Sequence, residues 1–151
     1  MPRSTRSFLF LDVNVWTALT YDRHVHHEVA KNWFNSLGSN VRLFFCRVTQ
    51  LGLLRLLSTE AVMGKDDVLN QAEAWDAYDR WLRDERVSFL PEPPELELAF
   101  RAMSRRQRPA PKDWADSYLA AFASASNLTL GSFDRDFRSK AKQAVILEPR
   151  P

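Results

Sequence analysis

Short apolar runs alternate with longer stretches of helical periodicity along this chain. Residues 8–11, Phe-Leu-Phe-Leu, are apolar without alternation, as expected of a strand covered on both faces. Such strands belong mainly to parallel sheets flanked by helices. Asp12 ends the run. Residues 13–20 and 27–37 then read as helices, the second with Val29, Ala30, Trp33, Phe34 and Leu37 on one face and Gly38 as its stop. Residues 41–46 predict a second strand, and Thr49 is expected to N-cap a helix that runs through Leu51, Leu53, Leu54, Leu56 and Leu57 to Ser58. Gly64 marks a break. A further helix is predicted over 68–83 and a third strand over 87–90, closed by Pro91, Pro93 and Pro94. Residues 95–106 continue as helix up to an Arg-Pro-Ala-Pro loop. Residues 113–126 form an Ala-rich helix leading into a strand at 128–130, and 145–147 supply the last strand. Strands separated by helices in this order predict an α/β fold, a three-layer α/β/α sandwich with a mainly parallel central sheet.

Composition narrows the class. A chain of 151 residues with 45% hydrophobic residues, 26% charged residues and four glycines is an ordered globular protein with one sizeable core, so a single domain over 1–151 is expected. The lone Cys46 cannot form an internal bridge or a cysteine-rich metal site. It reads as a small apolar residue in a reducing compartment. The basic start resembles a signal peptide, but the apolar run that follows is too short for one, and no stretch could span a bilayer. The expected location is the cytoplasm. Net charge is only +2, so no basic tail announces a nucleic-acid partner. The local exception lies between Arg101 and Lys112, where Arg105, Arg106 and Arg108 add to a basic run without an acid. That run reads either as a phosphate-facing patch or as a solvated helix end whose cations suit the helix dipole.

The acids carry the chemistry. In open parallel sheets ligands bind beyond the carboxyl ends of the strands, near the switch in strand order. Asp12 lies at such an end, and Asp134 and Asp136 follow the strand at 128–130. Asp116 opens the helix feeding that strand, with Ala120 and Ala123 forming a small apolar stripe behind it. Carboxylates converging on one edge repel one another unless a cation neutralises them, and hard oxygen ligands select Mg²⁺ or Mn²⁺. Such an ion suits hydrolysis of a phosphate ester. Each acid also has an ordinary reading: Asp12 as a helix cap, Asp116 as a first-turn acid behind an Asp113 N-cap, Asp134 and Asp136 as turn residues. The histidines 24, 26 and 27 read as a surface cluster at a helix start rather than a metal site.

Three segments together resemble the PIN-domain ribonucleases, particularly the VapC-type toxins of type II toxin–antitoxin pairs: Phe-Leu-Asp-Val-Asn-Val-Trp at 10–16, Trp-Ala-Asp-Ser-Tyr-Leu-Ala-Ala-Phe-Ala at 114–123, and Gly-Ser-Phe-Asp-Arg-Asp-Phe at 131–137. The resemblance implies Mg²⁺-dependent endonucleolytic cleavage of RNA, with Mn²⁺ able to substitute. It implies Asp12, Asp116 and Asp134 as catalytic metal ligands, with Asp136, Ser132 and Asn14 as accessory groups. Arg105, Arg106, Arg108 and Lys112 would then face RNA. A homodimer and a small cognate antitoxin are implied as partners, and no membrane. One departure stands out. The family often carries Glu in the helix after the second strand, where this chain has Gly52, and Glu60 lies eight residues on, roughly 12 Å along a helix. Two other classes compete: a non-catalytic PIN-like module that binds RNA or protein, and a Mg²⁺-dependent phosphatase of the haloacid dehalogenase type, which needs an acid where Asn14 stands.

Overall fold

The computed structural model describes residues 7–148. The order of elements is β1 (Ser7–Leu11), α1 (Val13–Thr20), α2 (His27–Asn35), β2 (Val41–Phe45), α3 (Arg47–Leu57), α4 (Glu60–Met63), α5 (Gln71–Leu82), β3 (Val87–Phe89), α6 (Leu96–Ser104), α7 (Asp113–Ala125), β4 (Thr129–Ser132), α8 (Phe137–Lys140) and β5 (Ala144–Ile146). The five strands form one sheet in the order β3-β2-β1-β4-β5, and all four pairings are parallel. The chain therefore builds outward from β1 to β3, returns across the sheet to β4 on the other side of β1, and ends at β5. The direction reverses between β1 and β4, and the carboxyl ends of those two strands frame a crevice.

Period-two alternation sorts the strand side chains onto two covered faces. Leu9, Leu11, Leu43, Phe45 and Val87 join the core under α1, α2, α3 and α5. Phe10, Cys46 and Leu130 join the core under α6, α7 and α8. Trp16 anchors the first core: it is fully buried and stacks on Phe45 with ring centroids 4.0 Å apart. In the second, Phe122 of α7 stacks on Phe10 at 4.8 Å. The small, nearly fully buried Ala120, Ala121 and Ala123 let α7 lie close on the sheet. The layers are those of an α/β/α sandwich, as the alternation of elements predicts. Among the described residues no helix is long and apolar enough to cross a membrane.

Local capping departs from expectation in several places. Thr49 is not the N-cap of α3. Cys46 is, and its backbone N–H donates to Thr49 Oγ1 at 2.9 Å, so Thr49 serves as the returning acceptor one turn in. The helix before Gly38 ends at Asn35, and Gly38 has no left-handed φ, so it terminates nothing. Helix α5 starts at Gln71 rather than 68, because the Asn70 side chain accepts the Glu73 N–H and caps there. Two one-turn helices, α4 and α8, were not expected; they are too short to show a period. Gly64 does break the chain, closing α4 with φ of 82°.

Gly52 has a steric reason. A Cβ at this position would lie 2.7 Å from Val13 Cγ2, because α3 packs directly against α1. Ala in place of Gly favours a helix by about 1 kcal/mol, whereas overpacking against a stiff β-branched side chain costs typically about 1–3 kcal/mol. Gly52→Ala is accordingly expected to lower the melting temperature, and the double variant Gly52→Ala/Val13→Ala to recover part of the loss. Thermal melts of the three proteins check this, and equal stability of Gly52→Ala and wild type would contradict it.

Candidate active site

The crevice between β1 and β4 is organised around one hydroxyl. Asp12 directly follows β1, and its backbone N–H donates to Gly131 O of β4 at 2.8 Å, tying the two strand ends together. Its carboxylate Oδ2 accepts the Ser132 hydroxyl at 2.8 Å. Ser132 Oγ in turn accepts the Asp134 backbone N–H at 3.0 Å and the Asn14 amide at 3.4 Å. A hydroxyl offers one donor and two acceptor positions, so Ser132, itself fully buried, is saturated. The strand was expected to end at Leu130; its extension to Ser132 places this hydroxyl.

Asp12, Asn14, Gly52 and Asp116 line one groove of about 840 Å³. Asp12, at the end of β1, and Asp116, in the first turn of α7, thus line a common space. Burial pushes the Asp12 carboxyl above its ordinary value, the charges of Asp116 and Asp134 push the same way, and the Ser132 hydroxyl and Val13 N–H only partly draw it back. Asn14 Oδ1 is buried without a hydrogen-bond partner, which leaves a hard oxygen unspent beside the two acids. Asp134 does not line the groove. Its carboxylate accepts the Asp136 N–H at 2.9 Å, ordering the turn into α8, and Asp136 itself is exposed.

Lys140 was not anticipated from the sequence. Its Nζ donates to Asp116 Oδ2 at 3.0 Å and lies 3.9 Å from Asp113, and the Asp116 bond chiefly raises its proton affinity. Recognising it required α8, which the sequence pattern did not reveal. Asp113, weighed as an N-cap, caps nothing: Lys112 holds the cap position of α7 without a side-chain bond. Asp113 instead bridges Lys140 and Arg106, the latter at 4.0 Å. Among the described residues no three His, Cys, Asp or Glu side chains approach closely enough to hold a metal ion between them. The histidines stay local: His24 Nδ1 accepts the His26 N–H, and His27 Nδ1 contacts Ala18 O. Arg105, Arg106 and Arg108 line a different groove, between α6 and α7, and Lys112 lines neither.

The PIN domain pattern matches residues 9–143. The chain belongs to the PIN-domain family. It is 42% identical over 132 residues to Ribonuclease VapC41 of Mycobacterium tuberculosis, an alignment covering 85% of this chain and 90% of that protein. Ribonuclease VapC29 of the same organism is 27% identical over 93% of this chain and 96% of its own length. Among solved structures, VapBC2 from Rickettsia felis bound to a promoter DNA fragment superposes with a TM-score of 0.66 at 12% identity, covering 93% of this chain and 99% of that one. Mycobacterium tuberculosis VapC20, a sarcin-ricin loop cleaving toxin, gives 0.64 at 20% identity, covering 95% and 99%. At these identities the structures establish the PIN fold. The sequence matches make this PIN domain a relative of the VapC-type toxins.

Two measurements test the electrostatics of this PIN domain. The raised Asp12 carboxyl means that the folded state holds its proton more tightly than the unfolded state does, so ionising Asp12 costs stability, and the penalty sets in as pH rises through its raised value. In EDTA at pH 7, Asp12→Asn is expected to melt above wild type, with the gap closing as pH falls toward the ordinary carboxylate range; an unchanged gap across that range would contradict the assignment. Lys140→Met removes a partly exposed ion pair worth up to about 1 kcal/mol, roughly 2–4 °C in a chain of this size. Asp116→Asn should destabilise wild type but not the Lys140→Met protein, a coupling read from a double-mutant cycle.

Proposed function

We propose that this chain is a Mg²⁺-dependent endoribonuclease, the toxin of a type II toxin–antitoxin pair. The observation that carries the reading is the pairing of Asp12 and Asp116 across one groove at the switch in strand order, with the orphaned Asn14 oxygen between strand and helix. Identity to a ribonuclease of the same family supports it. The donor set suits a hard cation: Mg²⁺ is commonly bound by one or two carboxylates and keeps several waters, so a third acid is not required. Asp12 and Asp116 would hold it, with Asn14 as a further oxygen and Asp134 acting at one remove through Ser132. Bound there, the ion would polarise a phosphoryl oxygen and lower the pKa of a water.

The protein's own groups do the rest. Ser132 fixes the Asp12 carboxylate in one orientation, which matters because misplacing a reacting group is costly in rate. The crowding that any Cβ at position 52 would meet from Val13 supports a site without the Glu that the family often carries, hence a single cation. Lys140 balances Asp116 in the free protein, easing the repulsion that burial of the acids creates. Beyond the acids, the groove runs over Leu54 and past the exposed Val48, Leu51 and Trp75. That apolar stretch supports a protein partner, an antitoxin segment or a second copy of the chain, and similar folds occur in VapBC and FitAB assemblies.

Cleavage of single-stranded RNA by the purified protein tests the reading. Activity is expected with Mg²⁺ or Mn²⁺, none with EDTA, and a drop of about 100-fold or more in Asp12→Asn and in Asp116→Asn. Full activity in EDTA would falsify the metal mechanism. A protein that binds RNA but never cleaves it would instead favour a non-catalytic module.

A further inference from the structure

A second groove, of about 660 Å³, lies on the other side of α7, between that helix, α6 and the loop joining them. Its walls carry Arg101, Arg105, Arg106 and Arg108 against the acids Glu97 and Asp113, with Phe100 and Trp114 between them. Two of the four cations are already matched: Arg101 pairs with Glu97 at 3.2 Å, and Arg106 stands 4.0 Å from Asp113. Among the described residues the side chains of Arg105 and Arg108 form no ion pair, and both are exposed. Arg106 is anchored as well, its Nη1 donating to Met103 O at 2.9 Å, so its remaining N–H groups are held in place. Trp114 is 58% exposed, although its family of large aromatic side chains is usually well buried. Phe100 meets it edge-on, with centroids 6.1 Å apart and planes at 73°, which props the indole upright in the wall of the groove.

We propose that this groove is a track for single-stranded RNA, in which Arg105, Arg106 and Arg108 hold phosphates and Trp114 stacks a base. The proposal rests on the ribonuclease reading and extends it to where the substrate chain runs beyond the scissile bond. Charge selects a polyanion. The exposed indole selects among polyanions, because only an unpaired base presents its face to an aromatic platform. The groove is also tied to the acidic site: Arg106, Asp113, Lys140 and Asp116 form a chain of ion pairs around the first turn of α7. Asp113 and Asp116 are about 4.5 Å apart along the helix axis. A strand leaving the acids around the start of α7 enters the arginines directly. Lys112, outside the groove, is not part of the track.

The test is the affinity of the full chain for a fluorescent, mixed-sequence 20-nucleotide RNA in EDTA, where cleavage does not interfere, over a range of salt concentrations. Trp114→Ala is expected to weaken binding by roughly five- to a hundredfold, and Trp114→Phe to restore most of it. Arg105→Ala/Arg108→Ala should weaken binding and flatten the salt dependence by about 0.7 log unit per lost phosphate contact. These side chains are exposed, and unchanged thermal melts confirm that the variants fold. Wild-type affinity and salt slope in all the variants would overturn the track, as would wild-type protein that does not bind the oligonucleotide at low salt. Equal competition by polyglutamate, with no effect of Trp114→Ala, would also overturn it and reassign the groove to an acidic protein segment. Cleavage with Mg²⁺ is read separately: intact cleavage with no effect of the variants on binding removes the track and leaves the ribonuclease, whereas binding that depends on Trp114 without any cleavage removes the ribonuclease and keeps the track.

Discussion

A carboxylate at the end of a central strand is held there by a single buried hydroxyl. Asp12 is part-buried beside other acids, and an ionised group in that position is unfavourable unless something bonds to its charged form. The Ser132 hydroxyl does so at 2.8 Å, and because it also accepts from Asp134 N–H and Asn14, four residues from two strand ends are fixed by one oxygen. The site is therefore a property of the junction between β1 and β4 and of neither strand alone.

That junction exists because the sheet is parallel and covered on both sides. Apolar strands without alternation need helices on each face, and right-handed crossovers then force the chain to switch direction once it has filled one side of β1. Beside the switch lies a groove walled by α1, α3, α5 and α7, and Asp12, Asn14 and Asp116 line it. The small alanines of α7 are the second requirement. Ala120 and Ala123 are at most 2% exposed, so the helix lies close to the sheet, and Asp116, one turn before Ala120, is carried to the edge facing Asp12.

Part of the charge at this edge is offset within the fold itself. Lys140 neutralises Asp116, and Asp113 links Lys140 to Arg106. The relay carries the electrostatics of the acidic groove around α7 to the arginine-lined groove on its far side. Gly52 is a packing choice: with no Cβ to crowd Val13, α3 and α1 meet closely.

Much of this was legible in the amino-acid order. The period of the apolar positions gave α1 to the residue and the five strands to within two residues at each end, because burial on a fixed face imposes its period on the sequence. Strand ends and helix starts in the pattern put Asp12 and Asp116 at one edge, where both line one groove, and the family resemblance marked Ser132, whose hydroxyl bonds the Asp12 carboxylate. Capping was harder to read. Thr49 and Cys46 exchange roles at the start of α3 because the hydrogen bond that decides the cap is donated by the Cys46 backbone N–H to Thr49 Oγ1, one turn ahead. Elements of one turn, α4 and α8, carry no period at all, so Lys140 remained invisible. What only the tertiary structure decided is which acids share a space. Asp134 is as close in sequence to Ser132 as Asn14 is to Asp12, yet its carboxylate turns to the Asp136 N–H while Asp12 and Asp116, 104 positions apart in the chain, face one groove. Spacing along a sequence fixes the face and the turn; the direction of a side chain across a strand junction is set by the partners that packing brings to it.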